Sequence, residues 1–236
     1  IKAKILGTRI IFDFDYKDKL RIYNSSLNNS LIHSSFDGLF EFDPYFYSSI
    51  VFNLKKLKSN FSTITSTFKN IDIPKNYLKK INGKYILNYE EKKIFNKFIK
   101  NLYFDWTLEN GEITINKTII DFGEAKLSMS ANILESDSYK KMKFHINLDS
   151  SEKIKLLKKF NINLKSKKKN ITIDAKGTLT FNSNKIFFES IDIDGNKITK
   201  EDRTYYKDKF EKLVIKENLF DLFNIKKIKK FIYEIE

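Results

Sequence analysis

Strict alternation of apolar and polar residues is the feature that most constrains the fold of this chain. From Ala125 to Ile133 every second residue is apolar, and Lys, Ser or Asn stands between. The same period of two recurs in four further segments, residues 10–16, 102–108, 142–149 and 171–181. Successive side chains of a strand point to opposite faces. Each segment is therefore predicted to be a strand with one buried face and one solvent-exposed face. Strands of this kind favour antiparallel pairing.

A short glycine pattern indicates that hairpins are used repeatedly. The pattern is a glycine followed five residues later by Asp or Asn, and it occurs at Gly38, Gly83, Gly111 and Gly177. Glycine and Asx residues are typical of the tight turns that end strands. Together with the alternation, this pattern predicts a mainly β fold with some helix, an elongated, twisted antiparallel sheet that resembles a groove.

The helical signals divide the chain. Asp149 and Glu152 have capping-box spacing, which predicts a short helix near residues 150–160. We therefore expect an antiparallel β-rich region over residues 1–195, with a possible helical insertion at 55–80. A C-terminal helical cap is expected over residues 196–236.

Two C-terminal helices are predicted near residues 199–233, with Thr199 and Asn218 as the candidate N-caps. The second helix has a broad apolar face, and four lysines lie largely away from it: Lys226, Lys227, Lys229 and Lys230. Such a basic amphipathic helix can cap the open end of a sheet, or it can lie on an anionic membrane surface. The four lysines are therefore the candidate membrane-surface residues.

The net charge of +14 is carried almost entirely by lysine. Only Arg9, Arg21 and Arg203 are arginines among 44 basic residues. Arginine is the side chain that reads phosphates and guanine edges by two parallel hydrogen bonds, whereas lysine also decorates ordinary surfaces. The charge therefore agrees with a solvated surface in an AT-rich coding background, and attraction to an anionic membrane or nucleic acid stays open.

Catalytic and metal-binding constellations are missing from the sequence. There is no cysteine, and the two histidines, His33 and His145, have no second ligand at metal spacing. The Asp192-x-Asp194-Gly195 segment resembles a calcium loop only faintly, because its glycine comes too early. No phosphate-binding loop or nucleophile motif occurs. We therefore predict no enzyme, no cofactor, no metal and no catalytic residue.

Aromatic residues are abundant, with 22 Phe, 12 Tyr and one Trp, and many fall on the alternating apolar faces. These faces can form the core of a sandwich. Alternatively, a one-layer or curved sheet leaves them open to an acyl chain, and each buried CH₂ then contributes about 0.8 kcal/mol. The candidate lipid contacts are Phe104, Trp106, Met129, Phe144 and Phe181.

The stretch from Leu108 to Leu134 contains three short motifs, Asn110-Gly111-Glu112-Ile113, Asp121-Phe122-Gly123 and Ala125-Lys126-Leu127. On these motifs it resembles the C-terminal region of the AsmA-like envelope proteins. It extends more loosely over residues 35–236. The resemblance implies a groove-like β-sheet that projects into the periplasm and serves outer-membrane biogenesis or phospholipid transport. It implies no catalytic residues.

The resemblance also implies a location and partners. We expect the periplasmic face of the bacterial inner membrane, with an N-terminal anchoring helix outside this sequence, and we treat the chain as a fragment because it begins at Ile1. The expected partners are a phospholipid or other lipid and an anionic membrane surface, with no nucleic acid. The alternative is a basic β module that binds polyanions or nucleic acid.

Overall fold

The computed structural model of the chain describes residues 1–5, 7–30, 32–57, 79–90, 99–135, 140–159, 161–163, 168–181, 183, 185–213, 227 and 230. These residues form strands β1 (Lys2–Ile5), β2 (Thr8–Tyr16), β3 (Leu20–Asn28), β4 (Ile32–Glu41), β5 (Tyr47–Leu57), β6 (Asn82–Glu90), β7 (Asn101–Glu109), β8 (Glu112–Asp121), β9 (Ala125–Glu135), β10 (Lys140–Ser150), β11 (Ile171–Thr180), β12 (Lys185–Ile193) and β13 (Asn196–Lys197). Helix α1 is Lys153–Lys159 and helix α2 is Lys200–Leu213. The predicted fold class, mainly β with a few helices, is confirmed.

The strands are hydrogen-bonded in the order in which they follow one another in the chain, from β1 to β13. Strands β1 to β5 pair antiparallel, and so do β6 with β7 and β9 to β13. The exception is β5 with β6, which pair parallel from Tyr47 opposite Asn82 to Leu54 opposite Tyr89. Alternation favours antiparallel pairing, so this parallel pair is an exception to the predicted antiparallel sheet.

Contacts between residues divide the chain into two compact units. Unit 1 holds the described residues up to Ile120, and unit 2 holds those from Asp121 onward. The sequence placed its boundary at residues 195/196, where the strands give way to helix. Within unit 2, α2 packs on β12, where the rings of Phe188 and Phe210 meet edge to face.

Helix α1 occupies the predicted position, but its first turn differs from the predicted capping box. Asp149 is the penultimate residue of β10, opposite Thr172 of β11. The side chain near the helix start is instead Ser150, whose hydroxyl accepts a hydrogen bond from the Glu152 amide at 3.3 Å and donates one to the Glu124 carbonyl. Ser150 is almost fully buried, and its hydrogen bond with the Glu152 amide connects the end of β10 to the start of the helix.

Helix α2 begins as predicted. The Thr199 hydroxyl accepts a hydrogen bond from the Asp202 amide at 3.1 Å, and it donates one to the Asp202 carboxylate at 2.9 Å. This reciprocal arrangement is the N-terminal cap that the sequence indicated. Of the possible helical insertion at 55–80, residues 55–57 belong to β5, and residues 58–78 lie outside the described residues. Asn218 also lies outside them.

The four patterned glycines do not occupy equivalent positions. Gly111 follows Asn110 in the β7–β8 turn, and both have positive φ. Gly83 lies at the start of a parallel strand, whereas Gly38 and Gly177 lie inside β4 and β11. The pattern therefore marks one hairpin turn and three close approaches within the sheet.

Candidate functional site: the apolar platform of unit 1

One face of unit 1 carries a row of apolar side chains that runs straight across its strands. The ladder places Phe36 of β4 opposite Phe52 of β5, and their ring centroids are 5.9 Å apart. The row continues through Leu87 of β6 to Phe104 of β7. On the other side the ring of Phe12 lies 6.5 Å from that of Phe36.

A second row lies beside the first, two residues along each strand. It consists of Ile22, Gly38, Ile50, Tyr85 and Trp106, which the ladders place opposite one another in turn. Tyr85 and Trp106 are stacked with centroids 4.3 Å apart. We call the two rows together the apolar platform. Neighbouring strands lie about 4.8 Å apart, so five strands give a width of about 20 Å.

Side chains of the platform are covered incompletely. Its apolar members are all half-buried, and Phe14, which the ladder places next to Ile22, is 50% exposed. Full burial occurs in flanking positions, as at Leu108 and Tyr89. Every described element of unit 1 is a strand of the sheet, so none of the residues described between Ile1 and Ile120 forms a second layer over the platform.

The opposite face of unit 1 carries hydrogen-bonded polar side chains beside the apolar pair Val51 and Ile86. The Asp105 carboxylate accepts hydrogen bonds from the Asn116 amide at 3.1 Å and from the Tyr103 hydroxyl at 3.3 Å. Burial, followed by the charge of Asp105, raises the pKa of Tyr103. Farther along, the Asn88 side chain donates to Asn53 at 3.0 Å. The face opposite the platform therefore has more polar side chains than the platform.

A hydroxyl pair stands at one margin of the platform, where β5 and β6 run parallel. Ser48 Oγ and Tyr85 Oη are 2.7 Å apart, and Ser48 is buried. The backbone of Ser48 also approaches Gly83 so closely that any side chain there would collide with it. These small residues let the neighbouring strands approach, and they leave the phenolic oxygen of Tyr85 paired inside the sheet.

Two of the five predicted lipid contacts belong to the platform. Phe104 ends the first row and Trp106 ends the second, and their ring centroids are 6.5 Å apart. Both are half-buried. The structure thus places these two predicted residues on one half-open apolar surface.

The other three candidates lie in unit 2 and differ from one another. Met129 is half-buried opposite Ile146. Phe181 follows the end of β11, where the ammonium of Lys140 stands 5.7 Å from its ring centroid. Phe144 is buried, at 7% exposure. All three residues belong to unit 2 and not to the platform.

Phe144 is a packing residue in this structure. Its ring lies against Gly177, directly opposite on β11, and meets Phe188 edge to face at 6.2 Å. Phe188 in turn meets Phe210 of α2. A side chain enclosed in this stack is not open to a ligand without a rearrangement of the helix.

The candidate membrane-surface lysines are only partly described. Lys227 and Lys230 are helical, with Lys227 half-buried and Lys230 exposed. Lys226 and Lys229 lie outside the described residues. The role assigned to this group stays a prediction.

The titratable pairs of unit 2 have structural partners. His145 Nε2 lies 2.6 Å from the Asp174 carboxylate, and this hydrogen bond lowers the pKa of Asp174. Asp194 accepts hydrogen bonds from Lys168 and from the Thr172 amide, which lower its pKa in that order. Among the described residues, no group of three or more His, Asp or Glu side chains could hold a metal ion. Likewise, no helix within the described part of the chain is long and apolar enough to cross a membrane.

Sequence reasoning missed most of the platform. Its residues in β3 to β5 follow the alternation imperfectly, and the β3–β4 register shifts between Ile22 and Leu27. At this shift the Ser25 hydroxyl bonds to the backbone of β4. It accepts a hydrogen bond from the Phe36 amide and donates one to the Phe36 carbonyl. The alternating positions Phe36, Gly38 and Phe40 in β4, and Ile50 and Phe52 in β5, were the signal in the sequence. They indicate an apolar surface only once the β4–β5 pairing register is known.

Comparisons with known proteins found no match. No protein-family model, no curated protein and no solved structure matches the chain.

Proposed function

We propose that this chain is a non-enzymatic, lipid-handling module of the AsmA-like kind, in which the apolar platform cradles acyl chains. The proposed setting is the periplasmic face of the bacterial inner membrane, in outer-membrane biogenesis or phospholipid transport. The observation that carries the proposal is the half-open row from Phe12 through Phe36 and Phe52 to Phe104.

The dimensions of the platform suit an acyl chain. A bilayer core is about 30 Å thick, so one chain extends over about 15 Å, which the width of about 20 Å accommodates. Contact with apolar rings needs no specific polar partner, since each CH₂ removed from water contributes about 0.8 kcal/mol. The polar network around Asp105 lies on the other face and leaves the platform itself apolar.

Apolar side chains that stay partly exposed on one sheet face favour an occupant. Soluble proteins rarely leave a continuous apolar patch larger than a few hundred Å² in water. The side chains of Phe14 and Tyr16, 50% and 64% exposed, continue the surface toward β2. An acyl chain lying along the rows would remove them from water. The resemblance of residues 108–134 to AsmA-like proteins agrees with this occupant.

The test is the amount of lipid that co-purifies with the 236-residue protein from a bacterial host, measured by extraction and mass spectrometry. Phe52→Asn places an amide in the first row, and Val51→Asn places the same group on the opposite face of the same strand. We expect Phe52→Asn to reduce retained lipid about tenfold, and Val51→Asn to leave it unchanged.

A second variant protects this test against loss of folding. Phe14 is half exposed, so Phe14→Asp removes apolar contact with little effect on the core. Circular dichroism checks that each variant keeps its sheet. Retention equal to that of the unmodified protein in both folded platform variants would refute acyl-chain binding by the platform.

The alternative, a polyanion-binding module, makes a different prediction. Binding dominated by phosphate contacts weakens steeply with salt and does not respond to Phe52→Asn. A gel-shift assay with nucleic acid at two salt concentrations separates the two functions.

A further inference from the structure

The polar face of unit 2, opposite to the side that carries Phe144, is uneven in charge. The ladders across β10, β11 and β12 align its residues in rows. The first row is Lys141, Thr180 and Lys185, the second is Lys143, Thr178 and Phe187, and the third is His145, Lys176 and Ser190. Carboxylates enter these ladders only in the next row, with Asp174 and Asp192. One end of the face is therefore basic.

An exposed phenylalanine stands inside this basic end. Phe187 is 61% exposed, and Lys143, Lys176 and Lys185 around it are exposed as well. Its neighbour Phe188 points the other way, between Phe144 and Phe210. Because this packing fixes the face of β12, the ring of Phe187 is held outward and cannot turn into the core.

We propose that these five residues, Lys141, Lys143, Lys176, Lys185 and Phe187, form a basic patch that docks on the surface of an anionic lipid bilayer. The inference deepens the proposed function, because a module that handles lipid must meet a membrane. The lysines contact lipid phosphates and carboxylates, and Phe187 enters the boundary between head groups and acyl chains.

Charge complementarity and geometry favour this partner. The rows lie about 7 Å apart along the strands and the strands about 4.8 Å apart, so the lysines lie on several sides of the ring. The His145–Asp174 pair borders the array, and Glu189, at the β12 irregularity, is the nearest exposed carboxylate along that strand. A ring that protrudes among lysines suits the boundary between lipid head groups and acyl chains.

A single-stranded nucleic acid is the competing occupant. Proteins that bind it usually stack successive bases on several aromatic side chains. The three rows of the patch contain one Phe, Tyr or Trp residue, Phe187, and no arginine, and the imidazole of His145 is hydrogen-bonded to Asp174. One exposed ring can insert into a membrane interface, but it cannot stack a series of bases.

The test is co-sedimentation of the 236-residue protein with phosphatidylcholine vesicles that contain or lack phosphatidylserine. We expect binding to the anionic vesicles alone, weakened by salt. Lys143→Gln and Lys176→Gln should each lower the vesicle affinity about fivefold, and Phe187→Ser should lower it about tenfold.

Matched controls lie in unit 1. Lys2→Gln and Lys4→Gln remove exposed lysines of β1, and Phe42→Ser removes a ring that is 53% exposed. These variants should bind vesicles like the unmodified protein. Equal loss in patch and control variants, or no binding to anionic vesicles at all, would overturn the docking proposal. Binding of single-stranded DNA, but not of vesicles, lost on Phe187→Ser would assign the patch to nucleic acid instead.

The two proposals can fail separately. Patch variants that bind vesicles normally, alongside Phe52→Asn that loses lipid, would remove membrane docking and keep the acyl-chain cradle. The reverse result would keep docking and remove the cradle. Thermal unfolding of each variant establishes that it is folded.

Discussion

The ring of Phe144 fills the space that a side chain at Gly177 would need. The two residues are directly opposite on β10 and β11, and a Cβ built on Gly177 would lie 2.8 Å from Cζ of Phe144. The carbonyl oxygen of Phe187 would be closer still. A glycine within a strand is thereby covered by an aromatic side chain, which anchors the stack that α2 completes.

Gly177→Ala should destabilise the protein by about 1–3 kcal/mol, because both the aromatic ring and the backbone of β12 must move. Urea unfolding measures the change. Gly38→Ala is the matched control, since a Cβ there would meet chiefly the end of the Phe40 ring, which can rotate. A smaller cost at Gly177 than at Gly38 would contradict this interpretation of the stack.

Truncation of Phe144 should be far more costly than truncation of Phe104. Phe144 is 7% exposed, so Phe144→Ala leaves a cavity and should cost about 3–5 kcal/mol. Phe104 is half-buried on the platform, and Phe104→Ala should cost about 1–2 kcal/mol. Chemical denaturation of the two variants compares them. Equal costs would mean that the platform is as enclosed as the core of unit 2.

Helix α2 protects the edge of β12. Glu211 accepts a hydrogen bond from the Ile186 amide at 2.8 Å, and the Arg203 guanidinium donates one to the Glu189 carbonyl. Glu211→Ala and Arg203→Ala should each cost about 1 kcal/mol and should promote self-association through the uncovered strand edge. Denaturation and sedimentation velocity measure the two effects.

Lys212→Ala serves as the control for the edge variants, because Lys212 is an exposed residue of the same helix. Its stability and its monomer fraction should not change. Should the Glu211 variant stay as stable and monomeric as the Lys212 variant, the helix would have no role in protecting the strand edge.

The His145–Asp174 pair should contribute to stability above the acid range. The hydrogen bond from His145 lowers the pKa of Asp174 below its ordinary value of 3.8. A group whose pKa falls on folding stabilises the folded state above the unfolded pKa, and this stabilisation is lost as the pH falls through the folded pKa. The loss therefore occurs below pH 3.8.

His145→Ala should move the pKa of Asp174 back toward 3.8, as followed by NMR titration of the carboxyl carbon. The accompanying change in acid stability should be small, since the side chain of Asp174 is 37% exposed and solvent screens the pair. An Asp174 titration that does not respond to the substitution would show that the pair does not exist in solution.

Alternation was enough to predict the β-rich fold and the placement of Phe104 and Trp106 on one face. It favoured antiparallel pairing throughout, so it did not predict that β5 and β6 pair parallel. The rows of the platform depend on register, and register depends on the irregularity that Ser25 supports in β3.

The burial of Phe144 shows a second limit of prediction from the sequence. Phe144 and Met129 look alike in sequence, each an apolar residue between polar neighbours. Burial of Phe144 follows from the docking of α2, through Phe188 and Phe210, which are distant in the chain. The exposure of Phe187 could not be predicted from the sequence either. Strand β12 has two consecutive phenylalanines, and only packing decides which one faces solvent.

Trp106 gives the most direct test of acyl-chain binding, because it is the one tryptophan of the chain and it lies in the second row of the platform. Phospholipids with brominated acyl chains quench tryptophan fluorescence on contact. The account predicts saturable quenching of Trp106 by these lipids and its reduction in Phe52→Asn but not in Val51→Asn. Fluorescence that does not respond to the brominated lipid, in a folded protein, would contradict the platform as the site where lipid is held.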